Sequence, residues 1–155
     1  MVRTVAIAWI VLVLAGCSAP RAGSTDAHNR TEGTPPPLLL GTFEDDYGIE
    51  YAISERLWHQ RPDARYRIVR WHIAEQYLIA QNDAANPSDG GLWTRIDWIV
   101  LPEMEPYAWA FCLSAYAAPS QAEAERATVA ERDRPRTGCN GYPFSRMRRT
   151  RAGGP

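Results

Sequence analysis

Across residues 38–147, apolar and polar positions alternate with a period of two, interrupted every few residues by Gly, Pro, Asn or Asp. This pattern predicts short, half-buried β-strands joined by tight turns. Ile49, Tyr51 and Ile53 alternate with Glu50, Ala52 and Ser54, behind a turn marked by Asp46 and Gly48. Leu57 and Trp58 either extend that strand or begin another, and Arg61-Pro62-Asp63 breaks it. Residues 66–73 predict a strand with Val69, Trp71 and Ile73 on one face, and residues 76–81 return from it as a hairpin after Ala74-Glu75. The Asn-, Asp-, Ser- and Gly-rich stretch 82–91 has turn chemistry.

Residues 92–101 are the clearest strand. Leu92, Ile96, Trp98 and Val100 share one face, with Trp93, Arg95 and Asp97 on the other. Residues 107–116 set Tyr107, Trp109, Phe111 and Leu113 against Ala108, Ala110, Cys112 and Ser114. One helix is predicted. Ser120 followed by Glu123 has the form of a capping box, alanines continue to Ala130, and Arg134-Pro135 ends the helix. A last short strand falls at 144–147. The expected fold is mainly β: a small antiparallel meander closed as a barrel, or folded as a sandwich, with one helix before the last strand. Closure is favoured because it removes exposed strand edges.

The flanks read differently. Residues 18–37 are small and polar and close on Thr34-Pro35-Pro36-Pro37, the composition of a flexible tether with a stiffened end. Residues 148–155 read as a basic tail. At the other end, Arg3 precedes an apolar run from Val5 to Ala15 and then Gly16-Cys17, the layout of a secretory signal. The run is shorter than the ~20 residues needed to span a bilayer. Leu14-Ala15-Gly16-Cys17 resembles the bacterial lipobox. That resemblance implies cleavage after residue 16, diacylglycerol on the Cys17 thiol and acylation of the new amino terminus; Ser18 implies transfer to an outer membrane. Each buried methylene of such chains contributes ~0.8 kcal/mol, and two or more chains hold stably.

Composition narrows the rest. At 155 residues the chain has room for one domain, and 45% hydrophobic content with 6 Trp and 7 Tyr supplies a core. The 17 basic and 18 acidic side chains nearly cancel, which argues against a nucleic-acid partner. Lipidation would consume one of three cysteines, leaving Cys112 and Cys139 as a disulfide pair in an oxidising compartment.

Candidate chemistry is sparse. The 82–91 loop is dense in oxygens but lacks EF-hand spacing and its closing Glu. Glu44, Asp45 and Asp46 suit a solvated turn. His59 and His72 each follow a tryptophan, with nothing to fix their separation. No Gly-x-Ser-x-Gly elbow or His-Glu-x-x-His occurs, so no catalytic residue, metal or cofactor is assigned and the chain is not expected to be an enzyme. The richest segment is Trp93-Thr94-Arg95-Ile96-Asp97-Trp98. Arg95 and Asp97 on one strand face form either a salt-bridged ladder under a cation–π contact or, beside the indoles, a ligand clamp. The candidate ligand residues are Trp71, Trp93, Arg95, Asp97 and Trp109.

The segments Gly41-Thr42-Phe43, Arg95-Ile96-Asp97-Trp98, Phe111-Cys112 and Gly138-Cys139-Asn140-Gly141-Tyr142-Pro143-Phe144 are similar to a group of bacterial lipoprotein domains without an assigned activity. In that group a late sheet Cys and a Gly-Cys-x-Gly recur, which suits the proposed bridge. The Gly41-x-Phe43 opening also resembles lipocalins, although here the helix precedes the last strand. The expectation is an envelope-anchored β-domain for surface interaction or envelope structure, with an envelope protein as a partner. The alternative is a lipocalin-like carrier of a small apolar ligand lined by Tyr51, Trp71, Trp109 and Phe111.

Overall fold

The computed structural model describes residues 33–150, so Cys17 and the signal-like segment lie outside the described residues. Eight antiparallel strands follow one another around a closed barrel. They are β1 (Gly41–Asp45), β2 (Glu50–Ile53), β3 (Leu57–Gln60), β4 (Ala64–His72), β5 (Tyr77–Asn82), β6 (Trp93–Val100), β7 (Trp109–Ala118) and β8 (Ser145–Arg149). A 3-10 turn (Pro37–Leu39) leads into β1, and a short helix, α1 (Gln121–Glu125), precedes β8. Closure comes from β8, which pairs with β7 on one side and with β1 on the other through Phe43↔Arg149 and Asp45↔Met147.

An eight-stranded barrel is just wide enough for side chains to fill it, and aromatic rings fill this one. Trp109 meets Phe43 edge-on at 5.2 Å and Trp58 at 5.9 Å between centroids. Phe111 meets Trp58 at 5.0 Å and Tyr51 at 5.5 Å. Trp71 packs on Trp98, and Leu78, Ile96 and Met147 complete the interior. Edge-to-face contacts of this kind add about 0.5–1.5 kcal/mol per pair beyond burial. Arg149 closes one end: its guanidinium lies over the Phe43 ring at 5.0 Å and donates to the Pro37 carbonyl at 3.1 Å. Gly41 permits this approach, since a Cβ there would sit 2.6 Å from Arg149 Nη1 on a backbone with φ of +125°.

Glu50, Arg65 and Arg67 are exposed on the far side of β2 and β4. A wall with its charges outward and its apolar side inward is the reverse of a membrane-spanning barrel. One sector is covered instead. Residues 119–144 fold over the outer face of β5–β7, where Ile99, Leu101, Ala110 and Cys112 form a second apolar cluster with Ala130 and Phe144.

The alternation fails at specific places. A bulge in β4 between Ile68 and Arg70 turns Ile68 and Trp71 inward and leaves Val69 45% exposed, so Val69 and Trp71 do not share a face. Val100, at the end of β6, is exposed rather than sharing the interior with Ile96 and Trp98. The helix stops at Glu125, far short of Ala130. Ser120 Oγ accepts from the Glu123 N–H at 3.2 Å, but the Glu123 carboxylate pairs with Arg126 instead of completing a capping box. Ala130 is drawn into the outer cluster, and the Glu131 N–H bonds to Gly138. Finally, β8 runs two residues into the expected tail: Arg148 pairs with Glu44 and Arg149 with the barrel end.

Candidate functional site

The five residues singled out as ligand-binding do not converge. Trp71 and Trp109 are core rings, 6% and 0% exposed, and the Trp71 indole N–H donates to the Glu55 carbonyl at 2.8 Å. Trp109 Nε1 is buried with no hydrogen-bond partner. Trp93 is half-buried at the start of β6, opposite Gln81 and Ala118.

Arg95 and Asp97 point the other way, onto the covered outer wall. Asp97 is fully buried and accepts from Arg95 Nε at 2.9 Å, from Arg95 Nη2 at 3.2 Å, from Arg132 Nη2 at 2.5 Å and from the Ser114 hydroxyl. A buried carboxylate needs such partners to offset its desolvation. Arg132 comes from the segment beyond α1 and also donates to the carbonyls of Glu75 and Gln76. Arg95 Nη1 donates to the Glu125 carbonyl at 3.0 Å, tying the end of α1 to the sheet. Asp97 and Arg132 together thus hold two strands, a turn and the covering segment.

The cation–π partner is Tyr77, not an indole. Arg95 Cζ lies 3.7 Å from the Tyr77 centroid, and His72 stacks on the same ring at 4.1 Å and 12°. Sterics place the two on opposite faces of the phenol. His72 Nε2 has no partner. Burial holds the imidazole below its ordinary value, and Arg70 pushes the same way. Burial also raises the Tyr77 phenol, against the pull of Arg95.

The oxygen-rich turns are committed to their own chain. In the 82–91 loop, Asn82 Nδ2 donates to the carbonyls of Asp89 and Tyr116, while its Oδ1 accepts from Thr94. Asn86 exchanges two bonds with the Arg65 backbone. Asp45 accepts from the Tyr47 and Ile49 N–H groups and from the Tyr51 hydroxyl, and burial followed by Asp45 raises the Tyr51 phenol. Among the described residues, no three His, Cys, Asp or Glu side chains gather as a metal set.

Cys112 and Cys139 form the disulfide, which joins β7 to the covering segment across 27 residues of sequence. Beside it opens a pocket of about 580 Å³. Its floor is the outer apolar cluster, with Leu101, Ala110 and Phe144. Pro135, Arg136 and Pro143 of the disulfide-bonded segment form one wall; Asp46, Tyr47 and Arg146 form the other, with Met104 at the rim. Arg146 donates to Asp46 at 2.9 Å and lies over Tyr107 at 4.7 Å. Gly138 lets the covering segment fold tightly on itself, since a Cβ there would fall 2.0 Å from the Glu131 carbonyl oxygen.

Sequence reasoning missed this pocket, because residues from four separate stretches meet only in the fold. It missed Arg132, Ser114 and Tyr77 for the same reason. No protein-family model, curated protein or solved structure matches the chain.

Proposed function

We propose that the chain is a lipid-anchored envelope lipoprotein whose barrel is a non-catalytic module for surface interaction or envelope structure, working through its outer wall. One contrast carries the outer-wall reading: the interior is occupied by interlocked rings, while the covered wall holds an open pocket. Leu14-Ala15-Gly16-Cys17 and the residues before it support export and acylation at Cys17. A disulfide on the covering segment suits an oxidising compartment. Ser18 after the cysteine supports an outer-membrane destination.

A second reading, the carrier of a small apolar ligand, rests on architecture: an eight-stranded up-and-down barrel is what lipocalins also use. The rings that would line its cavity touch one another instead, so the outer-wall reading is preferred.

The anchor has a direct test. Wild-type protein is expected in the membrane fraction, and Cys17→Ala in the soluble fraction or unprocessed. Continued membrane partitioning of a processed Cys17→Ala product contradicts the proposal. The chain contains no lysine, so its mature form would carry one amine, on Cys17. Full acylation therefore predicts a product that amine reagents do not label. A labelled mature start without lipid mass contradicts the anchor.

A further inference from the structure

The pocket beside the disulfide has the makings of a small-molecule site. Its volume of about 580 Å³ falls within the roughly 300–1,000 Å³ of ligand pockets. The lining is mostly apolar: Met104, Pro135 and Pro143 are exposed, with Leu101, Ala110 and Phe144 buried behind them. The lining holds two guanidiniums against one carboxylate. Asp46 is already committed, accepting from both the side chain and the backbone N–H of Arg146. Arg136 is exposed at the opening and forms no ion pair with an acidic side chain among the described residues. A greasy floor with one unmatched planar cation at its mouth complements a molecule with an apolar body and a single anionic end.

We propose that this pocket binds small anionic amphiphiles, the apolar body resting on Leu101, Met104 and Pro143 and the anion paired with Arg136. The proposal deepens the outer-wall reading and rests on it. The anion's chemistry is shared by carboxylates and by phosphate headgroups. The disulfide gives the site its shape, because Cys139 pins the wall that carries Arg136 to the barrel.

Calorimetric titration of the full chain in a mild nonionic detergent, which holds the acylated and the unacylated chain alike, with detergent alone subtracted, tests this. The probes are 4-phenylbutyrate, 4-phenylbutyl phosphate, 4-phenylbutanol and 4-phenylbutylamine. Both anions are expected to bind one to one, the alcohol about tenfold or more weaker, and the ammonium not at all. The tighter anion identifies carboxylate or phosphate as the natural group. Arg136→Ala, at an exposed position, should cost the anions about tenfold and leave the alcohol unchanged, with partial recovery in Arg136→Lys. Equal binding of alcohol and anions, an unaffected Arg136→Ala, or no binding of either anion overturns the proposal. Each of these results is independent of where Cys17→Ala partitions, so the ligand and the anchor fail separately.

Discussion

The inside and the covered outside of this barrel both bury an apolar cluster, yet only the outside adds buried charge and a covalent bridge to it. Inside, Trp58, Trp109, Phe111, Phe43 and Tyr51 lock edge to face, and specificity comes from shape. On the outer wall, Asp97 is buried among Arg95, Arg132 and Ser114, and a disulfide closes the same surface. Apolar burial needs only the two-residue alternation. A covalent and ionic seam is needed where a short, irregular segment must be held to a sheet without a large apolar face of its own. The first arrangement stabilises the barrel; the second determines where the segment lies and thereby forms the pocket.

Substitutions can separate the two. The largest effect is expected for Trp109→Ala, which removes the ring touching Phe43, Trp58 and Phe111 at full burial. A loss of about 3–5 kcal/mol is expected, read as a fall in the urea midpoint with loss of the near-ultraviolet aromatic signal. Asp97→Ala should cost slightly less, about 3 kcal/mol, because it leaves the Arg95 guanidinium buried without its carboxylate. Arg132, with a quarter of its side chain exposed, can turn to water. A neutral Asp97→Ala in chemical denaturation would show that the ionic seam is dispensable.

Reducing the Cys112–Cys139 bridge should cost roughly 3–4 kcal/mol, the loop-closure entropy for a sequence separation of 27. Its signature should be local. Amide exchange is expected to rise in the covering segment before it rises in the barrel strands. Uniform acceleration would mean that the two regions unfold as one.

The smallest effect is electrostatic. His72 has its folded value held below the ordinary 6.5 by burial and Arg70. On acidification through 6.5 the unfolded chain therefore takes up a proton before the folded one does. This contribution to stability is complete above that pH and is lost as pH falls toward the depressed value. Urea midpoints for wild type should drop between pH 7.5 and 5 more than those for His72→Phe. Parallel curves would remove His72 from the account.

The same comparison explains what the sequence revealed. The interior was legible because Tyr51, Ile53, Ile96, Trp98, Trp109 and Phe111 obey period two, and closure follows from the need to hide edges. The β4 bulge was not legible, because nothing in Ile68-Val69-Arg70 marks the extra residue that moves Val69 outward. Of the outer wall, the Arg95–Asp97 pair and the cysteine pairing could be read as neighbours on a face and as an even count. Arg132, which shares Asp97, lies 35 residues away in an irregular segment where no period operates. Helix propensity also misled: alanines after Glu125 favour helix, but Ala130 packs into the outer cluster and the chain leaves the helical path.

The barrel's own rings occupy the space a carrier would keep for its ligand. Indole N–H resonances of the nitrogen-15-labelled protein, titrated with the neutral apolar probe retinol, test it most directly. The Trp58, Trp98 and Trp109 signals are expected to stay in place. A saturable, one-to-one shift of the Trp109 resonance would contradict it.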